Sequence, residues 1–170
     1  MKLYTTENKS QEKFLRKPTK PVDLNKENPE ELKKLIKYMR SEMSRINGIG
    51  LSANQVGSDK RLFVANVPDK QNKRRFYAII NPKIVKTSKE KVPMEEGCLS
   101  VPHTYGVIER PKEIILEGYK PNGKKIRIKA FGLLAQVFQH EIDHLDGKLF
   151  TDKAKSVFKA GEETGDIQKV

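Results

Sequence analysis

Three short segments of this 170-residue chain carry residue types able to do chemistry. The most specific is His140-Glu141-Ile142-Asp143-His144. On a helix, residues four apart share a face, so both imidazoles can reach one metal ion with Glu141 close beside them. Leu133, Val137, His140 and His144 form one helical stripe, and Leu134, Phe138, Glu141 and Leu145 the adjacent one. Ionisable groups that face the same way as apolar ones need a partner, and a divalent cation satisfies both histidines at once. The plainer reading is a pair of hydrogen-bonded core histidines. Against it, two of the chain's three histidines stand at ligand spacing around a glutamate.

A catalytic metal of this kind takes three protein ligands and keeps one position open for water. Cys98, within Glu96-Gly97-Cys98-Leu99-Ser100, is the candidate third ligand, since a thiolate suits zinc or ferrous iron. Taken alone, a single cysteine reads more readily as a small buried hydrophobe. The third segment, Gly48-Ile49-Gly50-Leu51-Ser52-Ala53-Asn54-Gln55, sets small residues around two apolar ones and ends on an amide. It suits a tight backbone wall beside a ligand, and equally a helix end packed on the core.

The elements that must position these segments are those of one α+β domain. Asn28 caps, Pro29 opens and Glu30-Glu31 favour a helix whose apolar residues Leu32, Leu35, Ile36, Met39, Met43 and Ile46 share a stripe, ended by Asn47-Gly48. Short β-like runs follow at Leu62 to Val67, Phe76 to Ile80 and Ile84-Val85, with Pro82 and the lysines marking turns. Ile114 to Tyr119 and Lys124 to Lys129 read as a hairpin around Pro121-Asn122-Gly123. The histidine-bearing helix is expected from about Gly132 to Leu145, with Gly147 ending it. The polar tail, residues 153–170, is expected to hold a helical turn or two around Val157-Phe158 and then fray.

Composition narrows the function classes. The 34 Lys+Arg against 22 Asp+Glu give +12 at neutral pH, which favours polyanionic partners such as ribosomal RNA. Basic and acidic residues are interspersed, so a solvated surface accounts for the charge as well. One cysteine forms no intrachain disulfide and suits a reducing compartment. No apolar run approaches the ~20 residues that span a bilayer, and the first residues lack the apolar stretch of a secretory signal. A cytoplasmic protein with no membrane contact is expected.

Together and in this order, the three segments resemble the motifs of the peptide deformylase family. Gly48 to Gln55 resembles its glycine-rich motif, Glu96 to Ser100 its E-G-C motif, and His140 to His144 its metal-binding helix. Leu15-Arg16, Pro21-Val22, Asn81-Pro82, Arg110-Pro111, Gly147, Leu149-Phe150 and Asp152 extend the likeness over residues 1–152, the expected catalytic domain. The spacing from Gln55 to Glu96 carries no long insertion, as in type 1 members. Ser52 departs from the family's usual alanine, adding a hydroxyl expected near the substrate strand. The short tail departs from the longer C-terminal helix of many members.

The resemblance implies antiparallel strands packed around a central H-E-x-x-H helix, with a helix near the N-terminus. It implies removal of the formyl group from the N-terminal formyl-methionine of newly made polypeptides. Cys98, His140 and His144 would hold one divalent metal, Fe2+ in the native enzyme, with Zn2+, Ni2+ or Co2+ able to substitute. Glu141 would carry the proton, and Gln55 with the backbone N–H of Leu99 would meet the oxyanion. The methionine pocket would include Ile49, Met94, Leu133, Gln136 and Val137, and the peptide would lie along Gly48 to Leu51, Gly50 included, and Gly97. Ribosome contact would run through the basic surface.

Two other readings compete. H-E-x-x-H peptidases recruit a downstream Glu or His as third ligand, and here only Glu162 and Glu163 of the tail lie downstream without an evident role. A basic RNA-binding domain with a closed structural metal site needs a fourth ligand, and His103 is the only spare histidine.

Overall fold

The computed structural model describes residues 3–69 and 71–159. Helix α1 spans Lys9–Leu15 and α2 Pro29–Arg45. Strand β1 (Gly50–Ser52) runs into a 3-10 turn at Ala53–Val56. Strands β2 (Leu62–Pro68), β3 (Arg74–Thr87), β4 (Lys91–Cys98), β5 (Val101–Pro111), β6 (Glu113–Tyr119) and β7 (Lys125–Phe131) precede helix α3 (Gly132–Leu145). A short strand β8, Ser156–Lys159, follows.

The strands form two antiparallel sheets, in the orders β1-β2-β3-β6-β7 and β4-β5-β8. The larger sheet is covered on both faces, which its interior strand β2 records. Phe63, Ala65 and Val67 of β2 pack with Val137, Phe138 and Ile142 of α3. Leu62 and Val64 pack with Ile36, Met39 and Met43 of α2. Alternate side chains of a strand point to opposite faces, so a strand buried twice reads as a continuous apolar run. The smaller sheet meets α3 through Glu96 and Arg110, whose side chains bond to His140 and Asp143. Helix α3 is thereby central.

Helix α2 has the expected cap, with Asn28 Oδ1 accepting from the Glu30 and Glu31 amides. Its end is also as expected, at Asn47 in the left-handed region (φ 52°). Helix α3 has the expected bounds. Four features differ. The runs at 76–80 and 84–85 are one strand, and Pro82 sits in it at a register shift rather than at a turn. A bulge tolerates the missing N–H, and the Asn81 amide grips both backbone groups of Val22 beside it.

The β4-β5 hairpin carries no strong strand pattern, because Pro93, Glu95 and Glu96 dilute it. Helix α1, capped by Asn8, was too short for a periodic signal. At Val157-Phe158 the chain is strand β8, not helical turns. β-branched and aromatic residues suit the edge of β5, where Phe158 stacks on Tyr105 with ring centroids 6.0 Å apart. The fraying expected at 160–170 lies outside the described residues.

Candidate active site

His140 and His144 project from successive turns of α3, their rings 4.8 Å apart between centroids. Cys98 reaches them from the end of β4, at a register shift between Gly97 and Cys98. Its Sγ lies 3.0 Å from His144 Nε2. One donor atom from each of the three residues lies within 4.8 Å of the others. Bonds of about 2.0–2.3 Å to one ion put tetrahedral donors roughly 3.5 Å apart, so a small contraction suffices.

The electrostatics of the donor set fit a cation. Burial alone would push the Cys98 thiol up. The charge of His144 and hydrogen bonds from His140 and His144 outweigh it and hold the thiol well below its ordinary value. Burial would lower His140, but bonds to Cys98 and Glu96 raise it well above the imidazole range. The protein groups thus maintain a thiolate and want positive charge against it, which a divalent ion supplies with both histidines neutral. Among the described residues this cluster has three donors. His103 is exposed, and Glu162 and Glu163 lie outside the described residues.

Sequence reasoning missed the buried charge chain behind the cluster. Glu96 Oε2 accepts from Arg110 Nη2 (2.7 Å) and lies 2.9 Å from His140 Nδ1, leaving Nε2 of that ring for the cluster. Arg110 Nη1 donates in turn to Asp143 Oδ2 at 2.8 Å. Burial would raise the Glu96 carboxyl, yet the hydrogen bonds of Arg110 and His140 carry it down to about 2. A glutamate two residues before Cys98 and an aspartate within the histidine motif were the available signals. His144 is fixed through its backbone, where its carbonyl accepts from Asn54 Nδ2 at 2.6 Å.

Glu141 is buried beside the cluster, against β1. A Cβ at Gly50 would lie 2.9 Å from its Cδ, so only glycine leaves room for the carboxylate there. Ser52 Oγ donates to Glu141 Oε2 at 2.6 Å. That hydroxyl therefore faces α3, on the face of β1 that Ser52 shares with Gly50. Burial raises the Glu141 carboxyl, and His140, His144 and Ser52 only partly offset it. A carboxylate with raised proton affinity is suited to take and return a proton. Gln55 Oε1 accepts the Ser52 N–H at 2.8 Å, which turns its Nε2 toward Ser100 Oγ (3.0 Å) and Cys98 Sγ (3.8 Å).

A cleft of about 590 Å³ opens over these groups. Of the residues singled out in the sequence, Ile49, Gly50, Gln55, Gly97, Cys98, Leu99, Leu133, Gln136, Val137, His140 and Glu141 line it. His144 lies beneath, 1% exposed. Met94 is not among the lining residues. Its neighbour Glu95 does line the cleft, and successive side chains of a strand point to opposite faces. Gln136 is less polar toward the cleft than its type, because its amide donates to Glu95 O at 2.8 Å. The walls unassigned from sequence include Tyr105 and His103, the latter at φ 57°.

A family profile described as polypeptide deformylase matches residues 7–160. A peptide deformylase of Halothermothrix orenii is 42% identical over 149 residues, 88% of this chain and 90% of that one. The crystal structure of the Thermotoga maritima peptide deformylase matches with a TM-score of 0.80 at 36% identity, covering 91% of this chain and 97% of that one. A class I type b peptide deformylase from Acinetobacter baumannii, bound to Met-Ala-Ser, matches with a TM-score of 0.81 at 29% identity, over 90% and 97%.

Proposed function

The chain belongs to the polypeptide deformylase family, and from that membership we propose how its residues remove the N-formyl group of newly made polypeptides. It is a metal-dependent hydrolase. The observation that carries the assignment of roles is the convergence of Cys98, His140 and His144 within 4.8 Å, beside buried Glu141 at the wall of a cleft. These three would hold the metal, Fe2+ in the native protein, with Zn2+, Ni2+ or Co2+ as substitutes. When bound, such an ion supplies a Lewis acid and a water ionised near neutral pH.

The chain's own groups then divide the work. The peptide adds as a strand along Gly48 to Leu51 and Gly97, where β1 and β4 are edges of their sheets. Ile49, Leu133, Val137 and the methylenes of Gln136 receive the methionine side chain. As water adds to the formyl carbon, Glu141 takes its proton. Gln55 Nε2 and the Leu99 backbone N–H donate to the oxyanion. The C–N bond breaks, formate leaves, and Glu141 returns the proton to the amine.

The test is formate release from formyl-Met-Ala-Ser by anaerobically prepared, iron-loaded protein, with the unformylated peptide as control for peptidase activity. Turnover of the formylated peptide alone is expected. In the same assay Gln55→Ala should lower turnover ~10²–10³-fold, the usual cost of one preorganised donor. A variant that loses melting temperature but keeps turnover would make Gln55 a packing residue.

Residues 1–152 would form the catalytic domain, with strand β8 of the following segment completing its smaller sheet. No helix among the described residues is long and apolar enough to cross a membrane. We place the protein in the cytoplasm, where its substrates are made and a free thiolate ligand survives. Its net charge of +12 would draw it to the ribosome surface. Co-sedimentation with ribosomes should then weaken steeply between low and high salt. A salt-independent result would leave the charge to solubility alone.

A further inference from the structure

Ser52 carries a hydroxyl where the matching motif most often has only a methyl, and the fold spends that hydroxyl on Glu141. The side chain is fully buried, at 0% exposure. Its Oγ lies 2.6 Å from Glu141 Oε2 and 2.9 Å from the Glu141 backbone carbonyl. One hydroxyl proton serves one acceptor well, and the nearer, anionic carboxylate oxygen is the stronger of the two. The other oxygen, Oε1, lies over Gly50, a residue of the cleft wall. The two carboxylate oxygens are therefore unlike: Oε2 is tied to the Ser52 hydroxyl, and Oε1 lies against Gly50 in the cleft wall.

We propose that Ser52 is a positioning residue for this reaction, its hydroxyl holding Oε2 of Glu141 so that Oε1 is the oxygen that takes and returns the proton. The inference rests on the deformylase reading of Glu141 as proton carrier. It also gives Ser52 a double part. Its backbone N–H orients the Gln55 amide, and any residue but proline there would provide that bond. Its hydroxyl orients the carboxylate, and that depends on the side chain. Helix α3 and the turn after β1 are thus aligned at one residue, with the two groups that act on the formyl unit held from the same point.

Loss of a hydrogen bond to a charged group lowers turnover by about tenfold or more when the bond serves the transition state. Ser52→Ala should therefore reduce kcat about tenfold, with KM within about twofold and with metal content and melting temperature preserved. In a Glu141→Gln background the same change should cost nothing further, because the carboxylate it orients is gone. In zinc-loaded protein carrying ¹³C-carboxyl glutamate, Ser52→Ala should move one resonance, the one that disappears in Glu141→Gln.

An unchanged kcat in Ser52→Ala would overturn the proposal. So would an equal loss in both backgrounds, a loss that follows metal content or melting temperature, or an unmoved carboxyl resonance. Wild-type protein that releases no formate fails the deformylase reading instead, and the resonance still decides whether the hydroxyl holds the carboxylate.

Discussion

Glu141→Gln should fold, bind its metal stoichiometrically and turn over formyl-peptide ~10²–10⁴-fold more slowly, the range for a lost acid–base group. The substitution keeps size and shape in a site with no slack, since the carboxylate lies against Gly50 and Ser52. The ligand histidines are untouched, so the metal stays. What disappears is a group that can hold a proton between the attack on the formyl carbon and departure of the amine. A purely structural Glu141 makes the opposite forecast, because an amide at that buried position would lower the melting temperature while turnover of the folded fraction stayed near normal. Metal content, melting temperature and formate release measured on one preparation separate the two, and near-normal turnover by the folded, metal-loaded variant would remove Glu141 from the mechanism.

Cys98→Ala, His140→Ala and His144→Ala should each abolish stoichiometric metal binding after dialysis, and with it all measurable turnover. Two remaining donors hold a divalent ion poorly, and each residue contributes something the others cannot replace. Cys98 brings the only thiolate, and His140 is the ring that Glu96 orients. His144 is anchored through its carbonyl to Asn54. Full occupancy in Cys98→Ala would remove that residue from the ligand set and reopen the peptidase reading. The metal itself is read from lifetimes. Ferrous protein should lose activity faster in air than under argon, since both iron and thiolate are oxidisable. Equal lifetimes would make zinc the working ion.

The order of chemistry was largely open to reading in the amino acids. His140, Glu141 and His144 lie within one and a half turns of a helix whose limits are signalled locally. Helical spacing alone brings them to one side. The same holds for α2, whose cap, stripe and stop are each encoded within a few residues. Cys98 was a candidate ligand by residue type, but only the family resemblance lifted it above a buried hydrophobe and gave Gln55 its oxyanion role. Nothing local says that a cysteine 46 positions before His144 will meet it at 3.0 Å.

Tertiary structure decided the rest. Glu96 meets Arg110 across a β-hairpin, and Arg110 meets Asp143 on a helix 33 positions away. That charge chain exists only once the smaller sheet lies on α3. Met94, carried over from the family's pocket, is not among the residues lining the cleft although its neighbour Glu95 is, since successive side chains of a strand point to opposite faces. Val157-Phe158 became a strand because an unpaired edge of β5 was there to receive it. Ser52 is the sharpest case. Its hydroxyl, expected near the substrate strand, meets a carboxylate 89 positions away. Side-chain periodicity assigns a residue to a face of its own element. Which group waits on the other side of that face depends on how helix and sheets pack.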